Sequence, residues 1–158
     1  MQENIGMKGR FRIEKISPDG NIEIRENPNT VVTIGKAMMA NLLVDDLVYQ
    51  TATGSRYDWM AIGIGSRTIG EAGSLLGSEY LKYGLGSITG STTTTTTTND
   101  TALFIGSFGI DATKTINEAG LFNKSGLNLG SVLAMTTFTV LNVISGDRVN
   151  ATWNIQFS

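Results

Sequence analysis

The chain has 158 residues, with 12 Lys and Arg against 14 Asp and Glu, a net charge of −2, and neither histidine nor cysteine. That composition excludes disulfides, zinc sites built on Cys or His, and every nucleophilic triad or dyad that needs a His or Cys. It gives no electrostatic basis for nucleic-acid binding, no apolar run approaches the roughly 18–20 residues that span a bilayer, and residues 1–30 lack the apolar centre of a secretory signal.

Residues 8–16 alternate, with Gly9, Phe11 and Ile13 on one side and Lys8, Arg10, Arg12 and Glu14 on the other, as in a half-buried strand. Ser17-Pro18-Asp19-Gly20 is a turn. Asn21–Arg25 resumes the alternation with Ile22 and Ile24 expected inward, completing a hairpin, and Asn27-Pro28-Asn29 is expected to break the strand. Residues 31–48 form the one helix candidate. Ile34, Ala37, Met38 and Leu42 fall at helical spacing, and Thr30 or Thr33 is placed to cap its start.

Trp59–Ile64 predicts a strand with Met60, Ile62 and Ile64 on one face, followed by a Gly- and Ser-rich loop over 65–78. Glu79–Leu85 is a further strand candidate. Seven consecutive threonines at 92–98 favour extended backbone but offer no apolar face, so residues 88–98 predict an edge strand or an exposed arm. Ala102–Ile110 and Lys114–Phe122 are strands, and Asn123–Asn128 is a turn. Ser131–Leu141 is semi-apolar on both faces, so both faces are expected to be covered. After a turn at Ser145-Gly146-Asp147, residues 148–158 alternate most regularly of all, with Val149, Ala151, Trp153, Ile155 and Phe157 inward. The sum is one mainly-β domain over residues 1–158, an antiparallel β-sandwich of jelly-roll type with about eight strands and one helix, and with residues 1–9 as a flexible or partner-bound arm.

Charge is unevenly placed: residues 1–82 carry 19 charged side chains and residues 83–158 carry 7. A surface so poor in charge is either coated with Thr, Ser and Asn or covered by other protein. Val132, Leu133, Met135, Phe138 and Leu141 on the doubly apolar strand, with Thr94 and Thr96 in the threonine tract, are therefore the candidate interface residues.

Motifs for chemistry are absent. Gly63-Ile64-Gly65 follows a strand, but the third glycine of a dinucleotide fingerprint is replaced by Thr68. Neither G-x-S-x-G nor S-x-x-K occurs, no spacing pairs two carboxylates, and there is no Asp-rich calcium loop. No catalytic residue, metal site or cofactor is expected. Glu79 and Glu118 each lie among apolar residues, which marks them as structural acids accepting hydrogen bonds from neighbouring loops or a basic side chain.

Several short motifs in order resemble small virion structural proteins of tailed bacteriophages. Tyr57-Asp58-Trp59-Met60-Ala61-Ile62-Gly63-Ile64-Gly65 is similar to their "yiAlGtG" strand, with Leu76 and Glu79 matching the loop that follows. Ile116, Glu118, Gly120, Leu121 and Phe122 match "i-x-E-x-Glf", and Gly130, Val132, Leu133, Ala134 and Phe138 match "G-x-l-la-x-x-x-F". Gly146, Asp147, Val149, Trp153, Ile155 and Phe157 match the C-terminal strand, and Gly35-Lys36 matches the "Gk" before a helix. The likeness covers roughly residues 20–158. The family's Arg after the loop glutamate is missing, since Glu79 is followed by Tyr80, Leu81 and Lys82. The resemblance implies a non-enzymatic capsid decoration protein of jelly-roll type. It would form a homotrimer, bind the major capsid protein or other virion proteins, and reside in the virion after assembly in the host cytoplasm, with neither nucleic acid nor membrane as partner. The alternatives are a tail or baseplate adaptor or fibre-attachment subunit, and a carbohydrate-binding module in which Tyr57, Trp59 and Tyr83 stack on sugar.

Overall fold

A computed structural model describes residues 6–33, 35, 57, 59–65, 75–84, 87–96, 98 and 100–157. Nine strands run through them: β1 (Met7–Ile16), β2 (Ile22–Val31), β3 (Trp59–Gly63), β4 (Glu79–Tyr83), β5 (Ile88–Thr93), β6 (Thr101–Gly109), β7 (Lys114–Phe122), β8 (Val132–Val143) and β9 (Arg148–Phe157). All pairings are antiparallel, in the order β4-β3-β7-β8-β2-β1-β9-β6-β5. The sheet curls until its ends nearly meet. Tyr83 of β4 stacks on Phe108 of β6 with ring centroids 5.1 Å apart, and a Cβ on Gly106 of β6 would lie 3.2 Å from Met60 Sδ of β3.

The mainly-β, antiparallel expectation holds. Phe11 and Ile13 are fully buried, as are Val149, Ala151 and Trp153 of β9, as their alternation requires. Phe11 joins three strands at the centre of the core, 4.6 Å from the Trp153 ring and 5.5 Å from the Phe138 ring of β8. Each such aromatic burial contributes roughly 1.5–3 kcal/mol. Over Val132–Thr136 both faces of β8 are buried. Leu133 and Ala134 join the main core, while Val132 and Met135 join a second cluster with Val32, Ala61, Leu76 and Phe122. The threonine tract enters an edge strand, because β5 ends the sheet order.

Three expectations are corrected, and a fourth, the helix, falls mostly outside the described residues. Ile22 and Ile24 point outward, 61% and 42% exposed. Ser17 N–H donates to Asn21 O at 2.9 Å, and Gly20 takes a φ of 85°. The three-residue loop between them pairs odd residues of β1 with odd residues of β2, so Phe11 faces Asn27 and Ile13 faces Arg25. A register fixed by a turn places a whole strand, whatever its apolar residues prefer. Asn27-Pro28-Asn29 does not break β2. Thr136 Oγ1 donates to Pro28 O at 3.0 Å, so the polar edge of Pro28 faces β8, whose ladder with β2 pairs only Thr30 and Val31. A proline costs no hydrogen bond there. Residues 7–9 are not an arm, since Met7, Lys8 and Gly9 pair with Phe157, Gln156 and Ile155. The helix expected over 31–48 cannot start at Val31, which closes β2. Thr33 and Gly35 are helical, while residues 34 and 36–48 lie outside the described residues.

Beyond Thr30, β2 and β8 are joined by side chains instead of a ladder. Asn27 Nδ2 donates to Thr137 O at 2.8 Å, Arg25 Nη2 to Val140 O at 3.2 Å, and Lys15 Nζ to Asn142 O at 3.1 Å. Asn27 and Arg25 on the inward face of β2, with Lys15 of β1, thus satisfy carbonyls of β8 along an open seam.

Candidate functional site

The two acids singled out in the sequence sit near one end of the barrel and build its loops. Glu118 of β7 lies opposite Gly63 of β3 and is fully buried. Its Oε1 accepts the Gly65 N–H at 2.9 Å and the Ser78 N–H at 2.8 Å, and its Oε2 accepts the Gly77 N–H at 2.9 Å. One carboxylate therefore ties together the segments that leave β3 and enter β4. Three backbone donors replace the water a buried carboxylate would otherwise need. The glycines are part of the device: a Cβ at Gly63 would lie 2.6 Å from Glu118 Oε1, and one at Gly65 2.5 Å from it.

Glu79 of β4 holds the other loop. Its Oε2 accepts the Asn128 N–H at 2.7 Å and lies 3.2 Å from Lys82 Nζ. Lys82 donates to Gly126 O at 3.1 Å and Leu129 O at 2.8 Å, and its ammonium stands 3.8 Å above the Phe122 ring. Both side chains are almost wholly buried. Burial pushes the Lys82 ammonium below the usual lysine range, with Glu79 opposing the shift. The loop they clamp takes positive φ at Gly126, Asn128 and Gly130, and Asn123 Oδ1 accepts the Ser131 N–H at 2.7 Å. Asp147 plays a related part at the β8–β9 turn, its Oδ2 accepting the Ile144 N–H at 2.9 Å.

The candidate interface residues are not brought together on a surface. Val132, Leu133, Met135, Phe138 and Leu141 are buried in the chain's own core, so none of them is open to a second subunit. Apolar residues on both faces of β8 marked a strand covered on both sides by its own chain. Thr94 and Thr96 are exposed in the β5–β6 turn. Asp100 shapes that turn by accepting the Thr95 N–H at 2.8 Å and the Thr96 N–H at 2.9 Å, and Thr96 Oγ1 accepts Gln156 Nε2 at 2.9 Å. Of the aromatic residues considered for sugar stacking, Tyr57 is buried, Trp59 is half-buried in the second cluster, and Tyr83 has its ring against Phe108. They form no open platform.

The sequence did not single out Lys82, Asp100 or Asn123. Only the resemblance pointed near Lys82, through the absent Arg, and Asn123 was visible only as the first residue of a turn. Among the described residues no group of three or more acids is placed to hold a metal ion, and no helix is long and apolar enough to cross a membrane. Neither a family model, nor a curated protein, nor a solved structure matches this chain.

Proposed function

We propose that the chain is a non-enzymatic structural subunit of a tailed-phage virion, a capsid decoration protein that reinforces the lattice of major capsid subunits. One observation carries the reading. The residues that resemble the virion family are the ones that build this fold: Gly63, Gly65 and Glu118 lock one loop, Glu79 the next, Asp147 the last turn, and Trp153 the core. A likeness confined to loop locks and core describes a scaffold, and a scaffold works through its surface.

The absence of histidine and cysteine from the sequence, with both buried acids engaged by donors, supports a role without catalysis. In the jelly-roll sandwich reading, β1, β9, β6 and β5 form one layer and β8, β7, β3 and β4 the other, with Phe11 and Phe138 meeting between them. The subunit acts as a homotrimer on the capsid. The test is to add purified chain to capsids that lack it and to follow their heat resistance. Saturable binding with a raised disruption temperature supports the decoration role. Binding to isolated tails alone favours the tail-adaptor alternative.

A further inference from the structure

We propose that the β7–β8 loop encloses a binding site for a primary ammonium group, and that Lys82 is the tethered cation that fills it. The loop recognises the charged head group, whatever carries it.

The site is a convergence of oxygens. Gly126 O and Leu129 O lie 3.1 and 2.8 Å from Lys82 Nζ, and Oε1 and Oε2 of Glu79 lie 3.4 and 3.2 Å from it. Two carbonyl dipoles and a carboxylate thus aim their negative ends at one small volume. The Phe122 ring adds its electron-rich face, with its centroid 3.8 Å from Nζ. The Lys82 and Glu79 side chains are 1% and 0% exposed, so solvent screens these groups weakly. Without a cation between them the four oxygens repel one another in a dry site.

The backbone around the site is bent to match. Asn128, between the two carbonyl residues, has a φ of 58°, the one positive φ outside glycine among the described residues. That conformation is disfavoured for a residue with a side chain. The Asn128 N–H donates to Glu79 Oε2 at 2.7 Å and so fixes the carboxylate against the loop.

The donor set selects the class of cation. One carboxylate balances one positive charge. Oxygens 2.8 to 3.4 Å from the cation suit N–H donors and lie beyond the roughly 2.3–2.6 Å that calcium requires. An ammonium has three N–H donors, and three acceptor groups meet them. The site does not depend on the virion reading.

Lys82→Ala removes the ammonium and its three nearest methylenes, which are the heavy atoms of n-propylamine. The melting temperature of Lys82→Ala, followed by circular dichroism, should climb with each tenfold rise in n-propylammonium chloride, because a ligand that binds only the folded chain stabilises it. Tetramethylammonium chloride at the same concentrations has the charge without N–H donors and should give no such climb. Deuterium uptake across residues 123–131 should fall toward the wild-type rate in n-propylammonium alone. The wild type, whose site is filled, should respond equally to the two salts. So should Lys82→Ala combined with Glu79→Gln, which lacks the carboxylate. If Lys82→Ala does not fold by itself, the same titrations read the return of the native circular dichroism spectrum. A Lys82→Ala chain that responds equally to both salts, or whose spectrum returns in neither, overturns the proposal, as does a double variant that still prefers n-propylammonium.

Discussion

Glu118 occupies the space that a side chain on Gly65 would fill, and the Gly65 N–H donates to the Glu118 carboxylate at 2.9 Å. The glycine and the acid are 53 residues apart and make one joint. The G-I-G segment that resembles a nucleotide-binding turn is therefore a seat for an internal carboxylate.

Glu118→Gln keeps the shape but sets an amide NH₂ against backbone N–H groups and removes the charge that strengthens three hydrogen bonds. Denaturant unfolding should show a loss of about 2–4 kcal/mol. Gly65→Ala should lose roughly 1–3 kcal/mol through overpacking against the same carboxylate, and the two losses should be strongly non-additive in the double variant.

The Glu79–Lys82 pair predicts a different signature. Lys82→Met leaves a buried carboxylate without its cation and two loop carbonyls without their donor, which should cost roughly 3–5 kcal/mol. Replacing Glu79 by Gln in the same chain should recover part of that loss. Trypsin should cut after Lys124, exposed in the clamped loop, faster in Lys82→Met than in the wild type under conditions where both are folded.

Among the described residues, Lys82 and Tyr80 bend the alkaline limb of stability with opposite signs. The Lys82 pKa is lowered by burial, so between its folded value and the ordinary lysine value the unfolded chain binds more protons. Stability from this group rises with pH across that window. The Tyr80 phenol is raised, first by burial and then by its hydrogen bond to Asp111. Its contribution is complete below the ordinary tyrosine value and is lost as pH climbs through the raised one. Tyr80→Phe should therefore abolish a fall in stability above about pH 10, read by urea titration at several pH values.

The β1–β2 register predicts that apolar character matters on one side only. Ile24→Thr, on the outward face, should change stability by no more than about 0.5 kcal/mol. Ile13→Thr, fully buried, should cost several times more. Equal losses at the two positions would contradict the observed register.

Local pattern made much of the fold legible. The alternation of β9, the edge position of the threonine tract and the structural role of Glu79 and Glu118 all follow from residue type and its period. What was not legible depended on registers set elsewhere. A three-residue loop turned Ile22 and Ile24 to solvent, and the same register put Asn27 and Arg25 where β8 needed donors. Lys82 became the partner of Glu79 only because the β7–β8 loop folds over both. The apolar residues of β8 were readable as buried, but not as buried by this chain itself.

Whether the chain is a capsid subunit is tested most directly by counting it in particles made from the genome that encodes it. Quantitative mass spectrometry of purified virions should give copies comparable in number to the major capsid protein, released together with loss of capsid heat resistance. A count of a few copies per particle would contradict decoration, and complete absence from the particle would contradict a virion role altogether.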